Sequence, residues 1–299
     1  MNRMSALVST AMFAALAGTA HADKAVEIRF AGEFAGNAFS CANAYDGIGV
    51  TGSTVNVADF RVYVSGVALT RADGTAVPVA LDQDGKWQIH DVALIDFEDA
   101  SGGCVNGTPE TNMVVRGSVP DGDYTGMRLD IGVPFAHNHG DPTLAGSPLN
   151  LTAMFWNWQG GYKFMKVDLA TNGLPIEKMQ SAADHSGQPA ADAKPAPKGW
   201  SLHLGSTMCA ADSKTSAPSA CKNPNLVAVA FAAFDPASNV VTIDPARVLT
   251  EANVDVNAPE TSPGCMSFPK DADCNVVMAK LGLAYDGIPA GQQTLVGMR

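Results

Sequence analysis

The chain has 299 residues, 46% hydrophobic and 16% charged, which is enough apolar material for an ordinary core and unlike the composition of disordered, collagen-like or coiled-coil chains. Against 19 Lys and Arg it carries 30 Asp and Glu, a formal charge of −11. No basic stripe is present that would release phosphate counterions, so nucleic acid is excluded as an expected partner.

At the N-terminus Asn2-Arg3 precede an apolar run from Ala6 to Ala20, closed by Ala20-His21-Ala22. This pattern predicts a secretory signal peptide over residues 1–22, cleaved after Ala22. The run is broken by Ser and Thr and is shorter than the ~20 residues a membrane span needs, and no later segment qualifies. The expected mature chain, residues 23–299, is exported, periplasmic or secreted, with cell-surface association left open. Loss of Arg3 takes its charge to −12, and loss of His21 leaves His90, His137, His139, His185 and His203 for any histidine site.

Alternating or β-branched runs separated by Gly, Pro and Asp follow, at residues 26–30, 60–70, 87–97, 113–119 and 124–133. Asp73-Gly74 and Asp84-Gly85 supply hairpin turns. In the run 124–133, Met127, Leu129, Ile131 and Val133 share one face while Arg128 and Asp130 share the other, as in a sheet with one wet side. Ser147-Pro148 and Gly160-Gly161 bracket an expected helix of about three turns over 148–159. Later strands are expected at 162–169, 200–205, 226–231 and 240–243, with short helices at 245–251 and 272–281. Residues 174–199, rich in Ala, Pro, Gln and Lys, read as an exposed excursion. The expected fold is all-β: a single β-sandwich-like domain with a few short helices and three disulfides.

All six cysteines lie in the mature chain, an even number suited to an oxidising compartment. Cys209 with Cys221 and Cys265 with Cys274 form two close pairs flanked by Pro, Asp, Ser or Gly, and elimination joins Cys41 to Cys104. No Cys-x-x-Cys-His is present, so the chain attaches no c-type haem of its own.

Common catalytic motifs are absent, and the expected class is a binding protein, not an enzyme. What stands out is a run of histidine, methionine and tryptophan in Pro134 through His139, Met154 through Phe164 and Trp200 through Thr207. His137 and His139 lie two apart and, if extended, project to one side where they can share an ion. Imidazole suits copper and zinc, and thioether sulfur from Met154 or Met165 tilts the choice to copper. Trp156 and Trp158 read either as core anchors or as reactive indoles. An intact indole has no in-plane lone pair for a metal, but oxidative opening of its pyrrole ring creates an aniline nitrogen that can coordinate. That step needs an external oxidant.

The ordered motifs Asp59-Phe60-Arg61-Val62-Tyr63-Val64-Ser65, Ala93 through Glu98, Gly132-Val133-Pro134-Phe135 with Asn138-His139, Ser147 through Leu151, Met154 through Phe164, His203 through Thr207 with Cys209, and Pro263 through Ser267 resemble the MbnP family, the metallo-mystery pair system four-Cys motif proteins. The resemblance runs from about Val26 to Leu283. It implies an exported copper-binding protein whose partner, the MauG-like di-haem cytochrome peroxidase MbnH, oxidises a tryptophan to kynurenine. The motif positions imply His139 and His203 as copper ligands and Trp156 or Trp158 as the oxidised residue, with His137 outside the fixed pattern. Trp87 and Trp200 each stand three residues before a histidine and are further candidates. The family's four cysteines correspond to Cys209, Cys221, Cys265 and Cys274, expected as structural disulfides. The alternative expectation is a periplasmic β-sandwich ligand-binding module, with Trp156, Trp158 and Tyr162 as a stacking platform and Asp121-Gly122-Asp123 holding Ca²⁺. An enzyme using His203 with Ser206 or Asp141 has no supporting spacing.

Overall fold

The computed structural model describes residues 23–157, 159–171, 199–213 and 216–299. The signal segment 1–22, Trp158, and the excursion apart from Gly199, including His185, lie outside the described residues.

The strand Ser53–Thr70, 18 residues long, is the axis of the larger sheet. Its length lets one edge serve two partners end to end: Val55 to Val62 pair with Met165–Thr171, and Val64 to Thr70 with Gly126–Ile131. The opposite edge takes Val92–Asp96. The sheet continues from Met165–Thr171 to Trp200–Leu204, and from Gly126–Ile131 to Val227–Phe231. A second sheet is built on Asp23–Phe34, antiparallel to Val114–Pro120 and parallel to Val241–Ile243. Period-two alternation delivers Phe60, Val62 and Val64 from the first sheet, and Ile28, Phe30, Val115 and Ile243 from the second, into one buried apolar cluster. The fold is β-rich and sandwich-like, and no helix of the described residues is long and apolar enough to cross a membrane.

All three expected disulfides are present, Cys41–Cys104, Cys209–Cys221 and Cys265–Cys274. The turn at Asp73-Gly74 closes the Thr70–Ala76 hairpin, with Asp73 accepting the Thr75 N–H at 2.9 Å. Met127, Leu129, Ile131 and Val133 are buried while Arg128 is exposed. The short helices are Ala246–Leu249 and Cys274–Lys280.

Two expectations are corrected. Residues 148–159 do not form a helix: they carry one 3₁₀ turn, Thr152–Met154, followed by the strand Phe155–Asn157. The Asn157 side chain accepts the N–H groups of Gln159 and Gly160 at 2.9 and 2.8 Å, a local turn that competes with helical bonding and opens a hairpin to Gly161–Tyr162. The expected strand 87–97 is a tight hairpin, Gln88–Ile89 against Val92–Asp96. His90 makes that reversal with φ +56°, a conformation no Asn-Gly or Asp-Gly pair announced.

The face of Ser53–Thr70 turned away from the apolar cluster is also buried, and it is charged. Asp59 and Arg61 pair with each other, Lys166 also reaches Asp59, and Arg61 Nε lies 3.5 Å from Glu98. Asp59 is fully buried and Arg61 nearly so. Removing one member of such a group leaves uncompensated buried charge, so Asp59→Ala is expected to cost about 3–5 kcal/mol, read as a fall in the urea midpoint.

Beside Arg61, burial and then the Glu98 charge push the Asp96 carboxyl up to about 8, with Arg61 opposing them. The folded protein therefore holds a proton that the unfolded chain releases near its ordinary value of 3.8. In that window the unfolded state binds fewer protons, so this group's contribution is complete below about pH 4 and is lost as pH rises through about 8. Asp96→Asn is expected to flatten the dependence of the urea midpoint over that range; an unchanged slope contradicts the assignment.

Candidate metal centre

The segment from Gly132 to Phe164 crosses the charged face of the long strand. It is tied down by the Tyr63 hydroxyl, which donates to Pro148 O at 2.8 Å, and by the Tyr162 hydroxyl, which donates to Leu149 O. Tyr63 and Tyr162 meet edge to face at 5.7 Å.

Asn138 organises one end of this layer. Its Oδ1 accepts the Tyr162 N–H at 2.8 Å, and because a backbone amide only donates, the side-chain amide is oriented without ambiguity. Its Nδ2 then donates to Ser206 Oγ at 2.7 Å and faces His139 Nε2 at 3.2 Å, which makes Nε2 the unprotonated, accepting nitrogen of that ring. The same Nε2 lies 3.3 Å from Cys221 Sγ. His139 is buried, its ring against Phe135 at 5.0 Å. His139, Cys209 and Cys221 place one ligand atom each within 4.8 Å of one another, but the two sulfurs are joined in a disulfide and, so long as it is closed, are not thiolate ligands.

His137 goes elsewhere. Residues Phe135–Asn138 form a helical turn, not an extended stretch, so His137 and His139 diverge in spite of their spacing. His137 stacks on His90 with ring centroids 4.5 Å apart and points Nε2 at Asp91 Oδ1, 3.5 Å away.

His203 sits on Trp200–Leu204 opposite Lys166. Its Nε2 donates to Asp168 Oδ1 at 2.7 Å, an oxygen that also accepts from Ser201 Oγ at 2.9 Å, while Lys166 Nζ stands 3.1 Å from Oδ2. Burial pushes the Asp168 carboxyl up, but the His203 hydrogen bond and charge, with Lys166 and Ser201, hold it well below the ordinary carboxylate range. An ionised carboxylate only accepts, so in the neutral ring the proton is on Nε2 and the lone pair on Nδ1. His203 Nδ1 is buried with no hydrogen-bond partner. A carboxylate holding one nitrogen and leaving the other bare is the arrangement of a metal-ligating histidine.

Trp156 is half-buried and tilts against Phe268 at 5.5 Å. Its ring lies over Gly205, two residues past His203; a Cβ there would fall 2.4 Å from the ring and 2.8 Å from Tyr162 O, so only glycine allows the approach. Met154 and Met165 are fully buried in the apolar cluster. Tyr162 is 1% exposed, which removes it from the stacking platform of the alternative expectation, and Asp121, Gly122 and Asp123 form an exposed loop. Ser206 Oγ is engaged by Asn138 and by Gly160 O, not by His203.

Sequence reasoning missed Asp168 and Lys166, and gave Asn138 and His90 no task beyond a place in a motif and in the set of histidines. The alternation Lys166-Val167-Asp168 inside an expected strand was a signal, since it places two charges on one face two residues apart. Asn138 was marked only by its place beside His139 in the Asn138-His139 motif.

No curated protein matches the chain in sequence. Among solved structures, MbnP from Methylosinus trichosporium is similar over 93% of this chain and 98% of that one, with a TM-score of 0.78 and 29% sequence identity. The MbnP family profile matches residues 23–267, most of the described chain, including the Asn138, His139 and His203 region. By that match the chain belongs to the MbnP family.

Proposed function

We propose that the chain is an exported, periplasmic copper-binding protein of copper handling or uptake, with His203 and His139 as imidazole ligands. Trp156 or Trp158 is oxidised to kynurenine by a di-haem MauG-like partner and adds an aniline nitrogen to the copper site. The chain itself is not an enzyme in this reading. Membership of the MbnP family, which is tied to copper-related systems, supports it. The observation that carries it is the bare, buried Nδ1 of His203 with its Nε2 held by Asp168. A buried polar atom without a partner is costly, and a copper ion satisfies it.

Within this reading each residue has a defined task. His203 offers Nδ1, and Asp168 holds the tautomer and the orientation of the ring. His139 offers Nε2, whose lone pair Asn138 Nδ2 holds at 3.2 Å and would release to the ion. Trp156, packed over Gly205, stands beside the end of the His203 strand, where an oxidised ring would add to the same neighbourhood. Copper supplies an ion that the imidazoles hold.

Copper analysis on protein from the native host is the direct test. His139→Ala with His203→Ala is expected to lose bound copper, and retention of the wild-type load overturns the proposal. Asp168→Asn keeps both imidazoles but loses the fixed tautomer, and is expected to weaken copper affinity about 10–100-fold. Intact mass and peptide mapping on the same protein are expected to show a gain of about 4 Da, the exchange of a carbon for an oxygen, on Trp156 or Trp158. That gain should disappear when the haem partner is absent; unmodified tryptophan in the native protein removes kynurenine from the site.

A further inference from the structure

The Cys209–Cys221 disulfide differs from the other two in its surroundings. Cys41, Cys104, Cys265 and Cys274 are at most 5% exposed, whereas Cys209 and Cys221 are both half-buried. They sit directly opposite each other in the hairpin Thr207–Ala210 and Ala220–Asn223, which pairs with neither large sheet. Opening this bond therefore breaks no ladder of the core. Cys221 also lines an open cavity of about 260 Å³, with Val133, Phe135, Asn138, Ser206 and Leu226, which gives a small reagent or an ion a way in.

Beside this bond stands His139, its Nε2 unprotonated and 3.3 Å from Cys221 Sγ. A three-coordinate ion with ligand bonds of about 2.0–2.3 Å sets its donor atoms roughly 3.5–4 Å apart. The His139, Cys209 and Cys221 donors already lie within 4.8 Å of one another, so small side-chain rotations after the sulfurs part bring them round an ion, with the Nε2 lone pair passing from Asn138 Nδ2 to the metal. Two thiolates and one imidazole form a soft donor set that favours Cu(I).

We propose that two-electron reduction of the Cys209–Cys221 disulfide opens a second, Cys₂His site, formed by both thiolates and His139 Nε2, that binds Cu(I). A dithiol supplies the electrons. Its thiolate attacks one cysteine sulfur, the S–S bond breaks and releases the other cysteine as a thiolate, and the reagent's second thiol displaces the first while closing its own disulfide. The protein gains two electrons and two protons, the dithiol loses the same, and the cysteine protons leave as Cu(I) binds. This site shares His139 with the proposed copper site but does not use His203, so the two are separable.

The test uses the full mature chain carrying His203→Ala beside the wild type. Anaerobic treatment with a dithiol, followed by its removal, is expected to expose two thiols in the folded chain. Titration with Cu(I) against a chromogenic chelator then gives one bound equivalent that the oxidised His203→Ala chain lacks, with sulfur-to-copper absorption and two sulfur neighbours by X-ray absorption. Adding His139→Ala keeps both thiols and weakens Cu(I) binding at least tenfold. Cys209→Ser with Cys221→Ser removes the equivalent, and alkylating the two thiols of the folded, reduced chain must do the same without a change of sequence. Release of four or six thiols from the folded chain, two thiols without a Cu(I) equivalent, or undiminished binding in the His139→Ala chain each overturns the proposal. Failure of the oxidised wild type to bind copper overturns the His203 reading instead, and leaves this result unaffected.

Discussion

A guanidinium and several carboxylates buried on one face of the strand Ser53–Thr70 are the constraint on which the outer half of this molecule depends. Buried charge is tolerated only where each group finds partners, and Arg61 finds Asp59 and Glu98 while Lys166 spans Asp59 and Asp168. This face cannot be covered by plain apolar packing, because charges taken out of water need polar partners. The segment from Gly132 to Phe164 and the loop after Asp96 close over it, with Tyr63 and Tyr162 giving their hydroxyls to backbone carbonyls of the cover.

The chain of charges runs outward to His203. Because Lys166 and Asp168 alternate on the strand beside it, the last carboxylate of the buried group becomes the acceptor for His203 Nε2. A structural device that satisfies buried charge thus also selects the tautomer of an imidazole. At the other end of the cover, Asn138 does a similar job by different means: its amide is oriented by Tyr162 N–H and in turn assigns the proton of His139. Both histidines in the MbnP motifs therefore have one nitrogen defined by a neighbour that the protein itself holds rigidly.

The Cys209–Cys221 hairpin stands apart from this rigid part. In the chain it lies between Trp200–Leu204 and Val227–Phe231, both strands of the larger sheet, and it pairs in a ladder with neither large sheet. Its sulfurs are reachable and adjacent to a fixed imidazole, whereas the other two disulfides are enclosed in the core. A histidine held by Asn138 and a half-buried disulfide thus stand side by side.

The sequence by itself determined the β-rich class, most strand positions, the disulfide pairs and the family, because period-two alternation, turn residues and cysteine spacing act over a few neighbours, and the motif string is read in order. His139, His203 and the pair Trp156 and Trp158 were singled out through that motif string. What only the tertiary structure decided was how these residues are used. His137 and His139 part because Phe135–Asn138 turns helically, and the expected helix at 148–159 gives way to a hairpin because Asn157 captures the next backbone amides. Asp168 becomes a histidine's partner because it lies on the strand next to His203, 35 residues away in sequence. Contacts of that separation depend on strand order and register, which no local pattern encodes.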